Sequence, residues 1–254
     1  MELGRPGQKG TMIDTTSFVG PKDTAVYPKT NELFVGDTGG HGRVMVFDAD
    51  KGTFKRMWGG FGNPPIVPGP DEHGQGGKFA GADVDDGGNP PQLTESHCMR
   101  VSNDGLVYAC DGPNKRFQVF TIEGKFVAQK YINVGTKPKS TATGTIVDKP
   151  AAAVIDDLND HHETASMLAF STDPQQKYLF VEDRSQEKIL ILDRKTLEIL
   201  GSVGDGPGRA PGQLYILHSI AVDSKGNIYT SEVNDNGNRR AQKFVFKGMA
   251  PVKK

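Results

Sequence analysis

Four stretches of this chain repeat one pattern, and that repetition limits the fold more than any other feature. Residues 21–26 lead to 32–37 and then 43–47. Residues 96–101 lead to 105–111 and then 116–120. Residues 166–170 lead to 177–183 and then 188–192. Residues 218–223 lead to 226–232 and then 239–244. Each copy is a short strand, a polar turn, a strand closing on a carboxylate, a polar loop and a third strand. A repeat of this length built only of strands predicts the blades of a β-propeller. Such a fold gathers loops from every blade around one axial mouth.

The blades are expected at about residues 17–62, 93–133, 164–204 and 214–248 of a single all-β domain spanning 1–254. The hairpin turns are rich in Asp, Asn and Gly, as at Asn103-Asp104-Gly105, and the flanking residues alternate as half-buried strands do. Glycine and proline are abundant (32 and 16), and here they supply turns. Tyr108, Phe117, Phe120, Tyr178 and Phe180 are expected to pack between blades, since strand aromatics are core by default. Helical periodicity is weak except from Ala151 to Asp157.

Charge is nearly balanced, with 30 Lys and Arg against 31 Asp and Glu, so no basic excess points to nucleic acid. No apolar run reaches the roughly 20 residues of a helical membrane span. The first residues carry no secretory signal core. Leu3-Gly4-Arg5-Pro6-Gly7 resembles Val203-Gly204-Asp205-Gly206-Pro207, which leaves a blade. Residues 1–3 are therefore read as the tail of a blade whose earlier strands are absent, making this the later part of a larger propeller. Alternatively, the amino terminus supplies the outer strand of the last blade and closes a four-bladed ring. A partial ring would leave edges exposed and favour self-association.

Two insertions, 63–92 and 134–163, interrupt the repeat, and loops of that length are usually functional or disordered. On propeller topology both lie on the face that carries His97, His218, His41, His73, His161 and His162. The strand-ending carboxylates Asp37, Asp111, Asp183 and Glu232 share that face, as does Arg184. They are candidates for substrate contact or for supporting the ligands. Their simpler explanation is capping of backbone amides in their own loops. Arg184 is a weak candidate for clamping an anion, and a solvated surface role is the plainer reading.

His97 and His218 open inner strands at equivalent places in alternate blades. Two imidazoles there could share Zn²⁺ or another divalent transition metal. The first and third copies offer Lys22 or Asp23 and Ala165 or Ser166 at that position, so no third ligand is evident. Acidic clusters at Asp83, Asp85 and Asp86, and at Asp156, Asp157 and Asp160, make calcium possible without matching a known loop pattern. Cys98 and Cys110 lie at equal distances either side of Asp104. They face each other across the hairpin as a disulfide or as two packed thiols; a disulfide would imply an oxidising compartment.

The copies resemble NHL repeats over most of residues 17–246. Residues 21–120 look most like the lyases that cleave peptidyl-α-hydroxyglycine to an amidated peptide and glyoxylate. That resemblance implies a six-bladed propeller with a catalytic zinc held by histidines of alternate blades, and a structural calcium. His97 and His218 match the family's histidine positions. Three positions depart from it: Thr38-Gly39-Gly40 stands where the family has a catalytic Tyr, Gly112 where it has an Arg, and Ser219 where it has a calcium-binding Asp. The carboxyl-terminal half also resembles uncharacterised, commonly exported bacterial NHL proteins, which implies a secreted or periplasmic location.

Two functions follow as expectations. One is a metal-dependent, lyase-like enzyme acting on a small-molecule or peptide ligand at the axial mouth. The other is a binding or scaffold propeller without chemistry. Fold alone does not choose between them.

Overall fold

The computed structural model describes residues 1–38, 42–66, 91–132, 145–146, 149–150, 164–233 and 240–248. Its architecture is a set of antiparallel sheets placed side by side as propeller blades. The first blade contains β1 (Pro21–Tyr27), β2 (Glu32–Asp37), β3 (Arg43–Asp48) and β4 (Phe54–Trp58). The second contains β5 (Met99–Val101), β6 (Leu106–Asp111), β7 (Arg116–Thr121) and β8 (Phe126–Tyr131). A two-residue pair, β9 (Thr145–Ile146) and β10 (Lys149–Pro150), lies in the second insertion. The third blade contains β11 (Leu168–Phe170), β12 (Tyr178–Asp183), β13 (Lys188–Asp193) and β14 (Ile199–Val203). The fourth has β15 (Leu217–Val222), β16 (Ile228–Glu232) and β17 (Arg240–Phe244).

Within every blade the strands are neighbours in chain order, so each sheet is an antiparallel meander. The third-to-fourth strand pairing bulges at one repeated place: between Val46 and Phe47, Val119 and Phe120, and Ile191 and Leu192. A bulge there adds twist to the outer strand, so the three sheets share one shape.

The core lies between blades. Phe34, Val44, Val46 and Trp58 of the first blade meet Met99, Val107, Ala109 and Phe120 of the second. Tyr108, Phe117 and Val119 face Leu168, Leu179, Val181 and Leu192 of the third. Ala169, Phe180 and Ile189 face Leu217, Ile220 and Ile228 of the fourth. Each Val, Leu, Ile, Met or Phe side chain among them stabilises by about 1.5–3 kcal/mol when fully buried. Trp58 and Phe120 stand 5.8 Å apart between ring centres, and Gly124, at φ +90°, lets the chain pass close to the indole. Tyr108, Phe117, Phe120 and Phe180 are buried as expected; Tyr178 packs on the third junction while partly exposed.

Polar ties join the blades at the end remote from the histidines. Arg194 makes a forked contact with Asp104, both distances 3.0 Å, and Arg56 reaches across to the carbonyl of Ile122. Lys29 donates to the Asn103 carbonyl, and Thr172 to that of Asp223.

The amino-terminal segment packs on the first blade, with Leu3 and Phe18 against Val35, Met45 and Phe47. It does not pair with β17, whose ladder partner among the described residues is β16. The alternative of an amino-terminal outer strand for the last blade is corrected accordingly: the apolar face of the first blade takes up this segment. Ala151 to Asp157 lie outside the described residues. No described helix is long and apolar enough to cross a membrane.

Candidate functional site

The mouth end of each blade is organised by a pair that spans the second and third strands. The second strand ends on a carboxylate, and its register partner opens the third strand: Asp37 with Arg43, Asp111 with Arg116, Asp183 with Lys188, Glu232 with Arg240. In three blades the partner is arginine and the pair is an ion pair, at 2.9, 2.8 and 2.9 Å. Asp37, Arg43, Asp111 and Arg116 have no exposed surface.

The three arginine pairs grip the segment that leads into their own inner strand. Asp37 accepts hydrogen bonds from the amides of Val19 and Gly20, while Arg43 donates to the carbonyls of Asp14 and Ser17. Asp111 accepts from the amide of Thr94, while Arg116 donates to the carbonyl of Gln92. Arg240 donates to the carbonyls of Gly208, Arg209 and Gln213. Burial pushes the Asp111 carboxyl up from its ordinary range, against the pull of Arg116. These carboxylates are thus structural clamps on a neighbouring segment. Within their own loops Asp183 and Asp111 accept from side chains instead, the Ser185 hydroxyl and the Asn114 amide group, so the backbone-amide capping expected there is replaced by side-chain contacts. The arginines carry no sequence motif beyond opening the third strand, and their role depends on carbonyls that only the fold brings near.

The clamped segments deliver the inner strands with a bulge at the mouth. In β15 the register slips between Leu217 and Ser219, leaving His218 as the extra residue. In β1 the slip falls at Lys22. In the second blade the His97 amide donates to the Cys110 carbonyl at 3.2 Å, while the Cys110 amide donates to the Cys98 carbonyl at 3.0 Å. His97 and Cys98 therefore both stand opposite Cys110. Bulges re-aim side chains next to functional sites.

The two bulged histidines meet. Their ring centres are 5.8 Å apart and the rings are nearly perpendicular, at 89°, although the whole third blade separates them in the chain. The Glu95 carboxylate lies 3.4 Å from His97 Nδ1. Among the described residues no group of three or more His, Cys, Asp or Glu is placed to hold a metal. His41, His73, His161 and His162 lie outside the described residues, as do both acidic clusters.

Beside this pair, Cys98 and Cys110 form a disulfide, with Cα atoms 5.0 Å apart and neither side chain exposed. It staples the start of the inner strand to the second strand where β5 is short. Arg184 departs from its expected solvated state: its side chain is 11% exposed, with Nε 4.0 Å from a buried Glu182 oxygen. Glu187 was not foreseen. It is wholly buried, accepts a hydrogen bond from the Ile216 amide at 2.8 Å, and so holds the start of β15 from the preceding blade. Gly112 is packed so that an added Cβ would lie 2.2 Å from Ser166 Oγ.

No family model matches the chain. Over 251 residues it is 24% identical to NHL repeat-containing protein 3 from Homo sapiens, covering 96% of this chain and 54% of that protein. Among solved structures, that of U3-55K aligns with a TM-score of 0.50 at 9% identity, over 89% of this chain and 52% of that one. The chain spans about half the length of the proteins it matches. The second likeness bears on fold alone. Together with the four sheets, the structural likeness supports a β-propeller, and the sequence similarity at 24% identity is to an NHL repeat-containing protein.

Proposed function

We propose that the axial mouth binds a divalent transition-metal ion, zinc foremost, through His97 and His218, and that the chain is a lyase-like, metal-dependent enzyme acting on a small or peptidic ligand there. One observation carries this reading: two histidines from alternate blades converge to 5.8 Å between ring centres. With metal–nitrogen bonds of about 2.0–2.1 Å, two imidazoles on one ion have ring centres about 5–6 Å apart. That spacing supports a shared ion, to which His97 and His218 would supply two protein ligands. When bound, such an ion supplies Lewis acidity or lowers the pKa of a coordinated water or hydroxyl. The chain's own residues would hold and orient it at an open mouth.

A second reading, a propeller that binds a partner without chemistry, is favoured by a specific observation. The position after Asp111 is a glycine, where an added Cβ would come within 2.2 Å of Ser166 Oγ and require that hydroxyl to swing aside. The arginine of the lyase kind is absent there. Cobalt(II) titration separates the two readings. Visible d–d absorption that saturates and is lost in His97→Ala supports the metal site; its absence in folded protein favours the binding module. Turnover of α-hydroxyglycine peptides by the loaded protein then tests the reaction class.

A further inference from the structure

At the end remote from the histidines, a cavity of about 470 Å³ opens between the inner strands β5, β11 and β15. That volume falls in the range of small-molecule sites, about 300–1,000 Å³. Arg100 lines it from three residues beyond His97, about 10 Å further along the inner strand at roughly 3.3 Å per residue. Ala169, Phe170, Ile220 and Ala221 give it apolar walls. The turns at its rim are tied across blades. The Asn103 amide donates to the Gln176 side-chain oxygen at 2.7 Å, and the Thr172 hydroxyl donates to the Asp223 carbonyl at 3.0 Å. Three blades thus hold the cavity open in a fixed shape. Asp173 also lines it, but its carboxylate is engaged in its own turn by the Ser171 hydroxyl and the amides of Gln175 and Lys177.

Arg100 is held by one edge and open on the other. Its Nη1 donates to Asp23 of the first blade and, at 2.7 Å, to the Met99 carbonyl. No described residue of the first blade lines the cavity. Nε and Nη2, on the opposite edge, meet no acceptor among the described residues, and the side chain is 30% exposed. Arg43 and Arg240 present that same edge to the carboxylates of Asp37 and Glu232. A carboxylate matches a guanidinium edge with two parallel hydrogen bonds. We infer that this cavity binds a small monocarboxylate with an apolar body. The carboxylate lies on the Nε–Nη2 edge of Arg100, and the body lies against Phe170 and Ile220. One guanidinium, already paired with Asp23 and with Asp173 at the rim, suits a single negative charge better than two. That favours a carboxylate over a phosphate dianion. A free acid and the carboxyl terminus of a peptide share this chemistry. The site stands apart from the histidine mouth and does not depend on a metal there.

Ligand-observed NMR titration of the metal-stripped full chain tests it. The probes are 3-phenylpropionate, 3-phenylpropionamide, an acetylated dipeptide ending in phenylalanine, and inorganic phosphate. The expected result is saturable binding of a carboxylate probe, with the amide and phosphate at least about tenfold weaker. Arg100→Lys keeps a charge beside Asp23 but loses the fork, and should weaken binding about 10–100-fold. Ala221→Phe, a change at an exposed position of the wall, should abolish it by filling the cavity. Tighter binding of the dipeptide supports a peptide terminus as the source, and tighter binding of 3-phenylpropionate supports a free acid. No saturable binding of either carboxylate by folded wild type overturns the inference, as does phosphate bound as tightly as the acid. Undiminished binding in both variants overturns it too. If Arg100→Lys fails to fold, equal affinity of wild type for the acid and its amide is sufficient to overturn it.

Discussion

Arg43 and Asp37 face each other across β2 and β3 at 2.9 Å, both wholly buried, and together they tie residues 14–20 to the first blade. The guanidinium satisfies the carboxylate and two carbonyls at once. Removing either partner leaves the other as an uncompensated buried charge. Arg43→Ala should therefore cost about 3–5 kcal/mol in urea unfolding, and the Asp37→Asn/Arg43→Met double variant less than the sum of the two single changes. Additive losses would mean that the two groups do not act as a pair.

A mouth-end close contact is open to a simple change. Gly36 lies where an added Cβ would come within 2.5 Å of the Ser96 carbonyl, a backbone atom that cannot swing aside. Gly36→Ala should destabilise by about 1–3 kcal/mol, as overpacking does. Because Ser96 adjoins His97, any metal affinity should fall as well. A neutral Gly36→Ala would show that the first two blades are looser at the mouth than this geometry implies.

Glu187 makes a pH prediction. Burial pushes its carboxyl up to about 7 from an ordinary 4.5, with the Ile216 amide and Arg184 pulling it down and Glu232 adding to the rise. Between those values the folded chain keeps a proton that the unfolded chain has lost. This group's contribution to stability is thus undiminished below about pH 4.5 and falls as pH rises towards about 7. Glu187→Gln should be more stable than wild type at pH 8, by at most on the order of 3 kcal/mol, and about equal to it at pH 4. Equal stability of the two proteins at both pH values would contradict a proton held by Glu187.

Cys98 and Cys110 should resist alkylation in denaturant until a reductant is added, read by mass spectrometry. Their replacement by alanine should cost about 2–3 kcal/mol, the usual value for a cross-link closing a loop of this length. Two reactive thiols in unreduced, unfolded protein would show that the pair is not bonded.

The repeat, the cross-strand placement of Cys98 and Cys110 and the shared face of His97 and His218 were legible because each rests on strand alternation and hairpin symmetry. What the carboxylates do was only half legible. Their recurrence marked them as structural, but the amides that Asp37 and Asp111 cap belong to the segment before the inner strand, with no spacing rule to the carboxylate. Arg43, Arg116 and Arg240 were visible as letters and silent as clamps, because their partners are carbonyls of the same segments. Glu187 was illegible for a related reason: its partner is the Ile216 amide of the next blade, and a buried glutamate in a polar loop looks like any solvated one.

The two bulged histidines are proposed to share one metal ion. Plasma mass spectrometry of the purified protein, after incubation with zinc and exhaustive dialysis, tests it beside His97→Ala and His218→Ala. About one zinc per wild-type chain is expected, with a loss in each variant, as for a site with few protein ligands. A well-folded wild type that retains no metal, or variants that retain as much as wild type, would contradict it.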